Sequence, residues 1–275
     1  MKSFVWLWAT LLLGGAAQAQ PNPLAYPPGS SNRLALELCY QAMQSPQGSR
    51  TSQALLDSAT RVLPTLAWAW AEQSVPYLKR GEFKPWYALL GHAVELAPTE
   101  WLGYRAGCRF EWLHDYVGAL RDLAHLRHLR PGQAFVGYDA SGDYDLRIVQ
   151  ALCERETGQQ RRSLATFAAC LADNEQRHRV GLYDYLHYGV TQLFCKQYNA
   201  ARRSLLRQVQ IYPKLADTYY YLGLVAQQSH APTQAHRYFM QAYALYTRTG
   251  YRHRDIYNTV SDQVFLSDIN KQLAD

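Results

Sequence analysis

The sequence is short of charge, of metal or catalytic motifs, and of alternating polar and apolar runs. Asp, Glu, Lys and Arg make up 18% of its 275 residues, below the usual quarter, which argues against a coiled coil. There are 12 prolines and 17 glycines, too few for a low-complexity chain. No C-x-x-C occurs among the five cysteines, so thioredoxin-like redox chemistry and zinc knuckles have no support. H-E-x-x-H, G-x-S-x-G and a phosphate-binding glycine loop are all missing. No group of residues supplies a nucleophile, a base and an orienting partner, so neither an enzyme nor a cofactor is expected. Past the N-terminus no stretch is apolar for the roughly 20 residues that a membrane span needs.

What the chain has is hydrophobic and aromatic. Hydrophobic residues account for 48%, with 21 tyrosines and 7 tryptophans, a composition that excludes a disordered chain. The formal charge is +6. Basic clusters stand at Arg127–Arg130, Arg161–Arg162, Arg177–Arg179, Arg202–Arg203 and Arg252–Arg254. They are scattered, as expected for helix ends, where cations favour the C-terminal dipole. Without a nucleic-acid motif, nucleic acid is not an expected partner.

The N-terminus reads as an address. Lys2 precedes an apolar run from Phe4 to Ala17, and Ala17-Gln18-Ala19 places small residues where a signal peptidase reads. The expectation is a signal peptide over 1–19, a mature chain from Gln20, and a periplasmic or secreted location. Residues 20–32, rich in Pro, Gly, Ser and Asn, form a flexible leader. In an exported chain Cys39, Cys108, Cys153, Cys170 and Cys195 allow one or two bridges. Their odd number leaves at least one thiol free or paired with another chain. The other reading is that they are small buried apolar side chains, and the pairing stays open.

From residue 33 on the periodicity is helical, with N-terminal helices over 33–64 and an all-α fold. Internal repeats follow over 65–247. Tyr219, Leu222, Gly223 and Ala226 share one helix face, and Ala235, Phe239 and Ala242 share the face of the next helix, after a break at Pro232. A step of about 34 residues carries Tyr219 to Tyr185, Gly223 to Gly189, Ala235 to Ala201 and Phe239 to Leu205. The same spacing joins Gly107, Ala119 and Leu123, and Pro131 and Pro213 close two units. A weaker copy has Ala151, Ser163 and Phe167. Another ends in Leu90, Ala93 and Pro98, with Gly81 at its turn and Pro76 inside its first helix. Small residues in both helices let the backbones approach, and the large residue one turn on fills the gap. Each pair still exposes an apolar face that the next pair must cover. A last amphipathic helix, from about Arg254 to Leu273, caps the stack over 248–275 through Ile256, Val260, Val264 and Ile269.

This pattern resembles the tetratricopeptide repeat family. The resemblance implies a right-handed α-solenoid of antiparallel helix pairs whose concave face binds peptides or proteins. It also implies which residues of the first helices face inward. One unit contributes Trp101, Tyr104, Arg105, Glu111 and Trp112, and the middle unit Asp145, Ile148 and Arg155. The next contributes Tyr183, Leu186, His187 and Val190, and the last Asp217, Tyr220 and Gln227. Trp, Tyr and Arg are the residues that anchor interfaces; the same aromatics also fill volume between helices. The Lys/Asn clamp that some members use for chaperone C-termini is not evident.

Two further features were weighed for metal. Between Pro131 and Asp145 the chain is about ten residues longer than the repeat needs, and Asp139, Asp143 and Asp145 sit close together. Carboxylates at alternate positions around a glycine can bind calcium, but no bidentate glutamate closes this loop. An Asp143 or Asp145 cap on the next helix is the simpler expectation. His125 and His128 share a helix face, but zinc usually takes three or four ligands, and no metal site is expected.

The function expected is therefore that of an exported, non-catalytic scaffold or adaptor acting through an aromatic-rich groove. The alternatives are a periplasmic immunity or inhibitor protein, and a glycan- or peptide-binding module that stacks ligand on Trp101, Trp112 and Tyr220.

Overall fold

A computed structural model describes residues 22–131, 144–248, 252, 254 and 259–274. Among these residues there are thirteen α-helices and no strand. The first six helices are α1 (Ser31–Met43), α2 (Arg50–Val62), α3 (Ala67–Lys79), α4 (Phe83–Leu96), α5 (Pro98–Leu113) and α6 (Tyr116–Leu129). Then come α7 (Leu146–Glu156), α8 (Gln160–Gln176), α9 (Asp184–Phe194), α10 (Tyr198–Ile211), α11 (Ala216–Gln228), α12 (Pro232–Arg248) and α13 (Leu266–Ala274). Each odd-numbered helix up to α11 packs on the even one after it, each pair packs on the next, and α13 packs on α12. The fold is the expected solenoid of stacked antiparallel helix pairs. The apolar run at 4–17 and Asp139 and Asp143 lie outside the described residues.

The small residues of the repeat lie where helices meet. A Cβ added at Gly223 would come 2.4 Å from the Phe239 ring, and one at Gly189 would come 2.7 Å from Leu205. In the weaker copy, Ser163 Oγ donates to the Ala151 carbonyl at 2.7 Å, so α7 and α8 keep the register that the sequence suggests. The turn inside five of the six pairs, from α3–α4 to α11–α12, follows one recipe. A residue with positive φ closes the first helix at Gly81, His114, Gly158, Lys196 and His230. The next amide then reaches back into the helix, as Gln197 does to the Gln192 carbonyl at 2.9 Å. This is the Schellman closure, which satisfies carbonyls that the helix end leaves open. Caps supply several starts. Ser30 accepts from the Arg33 amide, Ser49 from Ser52, and Asp115 from Gly118.

Apolar burial is continuous along the stack. One cluster holds α1 to α3 around Cys39 and Leu56. A second runs through α3 to α8 around Trp86, Trp101 and Phe167. A third joins α9 to α13 around Leu186, Leu205, Leu222 and Ile269, and Tyr183 packs against both of the last two. All five cysteines are free thiols, four of them buried. Burial pushes the Cys39 thiol up to about 12, and the negative charge of Glu72 adds to this. Cys153 and Cys170 are pushed up as well, mainly by burial, so these thiols behave as small apolar groups.

The C-terminal expectation needs correction. The cap helix begins only at Leu266, and residues 259–265 run without helix. Ile256 lies outside the described residues. Asp262 takes a left-handed φ of 59°, which ends any helical path through it. Thr, Val, Ser and Asp in Thr259–Asp262 are weak helix formers, and tertiary bonds decide their conformation.

Candidate functional site

Residues 259–265 lie along the first helices of four consecutive pairs. Arg155, in the last turn of α7, is buried with its guanidinium directed at Asp262: Nη1 donates to Asp262 Oδ2 at 3.0 Å and to Thr191 Oγ1 at 3.3 Å. His187, on α9, is 0% exposed, and its Nδ1 lies 2.6 Å from the same Asp262 oxygen. An ionised carboxylate only accepts, so Nδ1 is the donor. On the other side of the ring, Nε2 is 3.3 Å from the Tyr144 hydroxyl. At the start of α11, buried Asp217 accepts from the Val264 amide at 2.9 Å. The Val264 side chain enters the apolar cluster of α9 to α13.

The Asp262 side chain is 4% exposed. Burial by itself would raise its pKa. The charge of Arg155 and the hydrogen bond and charge of His187 outweigh that burial and hold the carboxyl down at about 2. The backbone around it is folded into a turn: the Gln263 amide donates to the Val260 carbonyl and the Val260 amide to Gln263 Oε1. Beside the turn is a small cleft of about 20 Å³, lined by Phe110, Glu111 and His114 of α5 and its following turn, by Tyr144, and by Thr259, Val260 and Ser261. The arrangement holds a turned, non-helical strap in a channel whose floor meets one carboxylate and one backbone amide.

The groove residues proposed from sequence divide into three sets. Arg155, His187 and Asp217 converge on the strap. Trp101, 2% exposed, packs edge-on against half-buried Tyr104, while Trp112 is half-buried against the α3–α8 cluster. Arg105 is committed to Asp122 on α6 through two hydrogen bonds of 2.7 and 2.9 Å. Tyr183 faces Tyr212, and Tyr220 contacts Tyr221 and Phe239. Gln227 is exposed near the end of α11. Asp145 caps α7, accepting from the Arg147 amide at 2.8 Å, and Arg147 returns to pair with it at 2.6 Å. Among the described residues no group of three or more His, Cys, Asp and Glu side chains could hold a metal, and no helix is long and apolar enough to cross a membrane.

Solved structures share this stack of pairs. PilW, described as a widely conserved type IV pilus biogenesis factor, has a TM-score of 0.63 at 15% identity, covering 79% of this chain and 96% of that one. YrrB, described as a TPR protein with an unusual peptide-binding site, has a TM-score of 0.52 at 14% identity, covering 71% and 94%. This chain has the tetratricopeptide-repeat fold. MamA from Desulfovibrio magneticus RS-1, residue 41 to the end, is also similar, with a TM-score of 0.55 at 16% identity over 66% and 96%. No family model and no curated protein matches the sequence. The tetratricopeptide-type groove of this chain thus differs from a bare concave face in being lined, in part, by its own C-terminal segment.

The sequence reading missed Asp262, Tyr144 and Val264 as groove residues. Helical periodicity places Asp262 and Val264 within one continuous helix, and Tyr144 follows the long insertion after α6. One signal was available: Thr259-Val260-Ser261-Asp262 combines β-branched and turn-favouring residues, a composition that helices avoid.

Proposed function

We propose that the chain is an exported, non-catalytic scaffold that holds another protein through the groove of its tetratricopeptide stack. The observation that carries this reading is the buried polar floor of Arg155, His187 and Asp217, which grips a non-helical segment by a side-chain carboxylate and a main-chain amide. Buried groups of this kind fix register and specificity more than they add bulk affinity. Export is supported by Lys2, the apolar run to Ala17 and the Ala17-Gln18-Ala19 site. The peptide-binding site in the description of YrrB fits the same use of the fold. A glycan-stacking role draws less support, because Trp101 is sealed within the core.

A pull-down from the cell-envelope fraction, with the chain from Gln20 as bait and mass spectrometry as readout, tests this reading. A dominant protein recovered in stoichiometric amount by the wild-type bait and lost with Arg155→Met is the expected result. Recovery that ignores Arg155, with the bait folded, removes the groove from the reading. Sequencing the exported protein from its N-terminus checks the address: Gln20 is expected first, and Met1 refutes it.

A further inference from the structure

We infer that the Arg155–His187–Asp217 channel is a recognition site for an acidic, turn-forming segment of a partner protein, and that residues 259–265 occupy it in cis as a competing stand-in. The inference deepens the scaffold reading and rests on it.

The strap shows what the channel takes. It is a non-helical stretch that turns at Ser261–Asp262, with a carboxylate at the turn and, two residues on, a small β-branched side chain. At the first position Asp262 meets two donors, Arg155 Nη1 at 3.0 Å and His187 Nδ1 at 2.6 Å. At the second, the main chain gives its amide to Asp217 while the Val264 side chain fills an apolar recess. The first contact favours negative charge: Arg155 Nε already donates to Glu156 at 2.9 Å, while its Nη1 and His187 Nδ1 both meet the Asp262 carboxylate. The second demands an amide, which excludes proline there. A ligand meeting both demands is an aspartate-containing peptide that turns at the aspartate as the strap does.

The strap also has features of a replaceable occupant. It is not part of any helix pair. It adopts a left-handed conformation at Asp262, which an L-residue other than Gly, Asn or Asp seldom takes. A small cleft borders its Thr259–Ser261 end, on the side of Phe110 and His114. A cis segment lowers the apparent affinity for a trans ligand by the fraction of chains whose groove is open.

The test uses a labelled synthetic peptide copying Thr259–Phe265, the chain from Gln20, and its Asp262→Asn variant. Asp262→Asn keeps the shape of the side chain while removing its charge, so the strap is loosened. Fluorescence anisotropy is expected to show the variant binding the peptide about tenfold or more tightly than wild type. A peptide with its own aspartate changed to asparagine should lose that gain. Equal affinities of the two peptides, or of the two chains, overturn the inference. On the wild-type chain, excess peptide should speed hydrogen exchange at the Val264 amide, an arm that does not depend on the variant folding; unchanged exchange at saturating peptide overturns it as well. A chain that runs as a dimer and that the peptide converts to monomer places a second copy's strap in the groove, and so overturns the assignment to a different partner. The envelope pull-down separates the two readings. A captured protein that the peptide does not compete away leaves the scaffold and removes this inference, whereas peptide binding as described with no captured protein does the reverse.

Discussion

His187 and Asp262 stand 75 residues apart in the chain and 2.6 Å apart in the fold. With Arg155 on the other side of the same oxygen, three charged or polar groups meet in a place closed to water. The contact ties the C-terminal segment to the middle of the stack, and it sets how the protein responds to mutation, to acid and to ligand.

Removing one partner of such a cluster leaves the other uncompensated. Arg155→Met is expected to lower stability by about 3–5 kcal/mol, because Asp262 then lies buried without its main counter-charge. Asp262→Asn should cost less, since Asn can still accept from His187. Urea unfolding followed by circular dichroism measures both, and an Arg155→Met variant within 1 kcal/mol of wild type would show that the strap leaves its seat freely.

Acid should act in two opposite directions. Asp262, held at about 2 in the fold against about 3.9 unfolded, contributes stability that is full above pH ~4 and is lost as pH falls through 2. Asp184 goes the other way. Burial pushes its carboxyl up to about 6, against the opposing hydrogen bond from the Gly181 amide and the charge of His187. Its native form therefore takes up a proton first, and stability from this group rises as pH falls from about 7 towards 4. Asp184→Asn should accordingly stabilise the protein at pH 7.5, by about 2 kcal/mol, and by little at pH 4. Melting curves of the two chains across that range give the answer: parallel curves at all pH values would refute it.

Gly223→Ala is expected to destabilise by about 1–3 kcal/mol, because its Cβ would come 2.4 Å from the edge of the Phe239 ring and a closed helix pair resists overpacking. Gly189→Ala should cost a similar amount against Leu205. The double variant Gly223→Ala with Phe239→Leu should recover part of the loss, as measured by chemical denaturation. A single variant as stable as wild type would mean that α11 and α12 can move apart without cost.

The left-handed residues at the pair turns offer a gain in place of a loss. His114, Lys196 and His230 take φ values of 51°, 58° and 56° in the position that Gly81 and Gly158 hold in other pairs. An L-residue there carries a cost of about 1–2 kcal/mol, part of which glycine returns as unfolded-chain entropy. Each change to glycine is expected to add about 0.5–1 kcal/mol, and the three should sum, because the sites lie in different units. Differential scanning calorimetry of the triple variant checks this, with a raised Tm as the expected result.

Sequence alone determined the helical class, the pairing and most of the register of this protein. Helical periodicity and small residues at a fixed step are local patterns, and a repeat imposes its spacing again and again. Gly189 and Gly223 fall where backbones nearly touch, and even the weak copy at Ala151 and Ser163 holds its place through a hydrogen bond. Arg155, His187 and Asp217 were also legible as inward residues, because repeat geometry assigns a face to each position. What only the tertiary structure decided is what those residues meet. Residues 259–265 carry apolar positions that suit a helix, yet they turn at Ser261–Asp262 without forming one, because the bonds from Asp262 to Arg155 and His187 and from Val264 to Asp217 outweigh the local preference. Such bonds join segments far apart in the chain, and no pattern within a few turns of sequence encodes them.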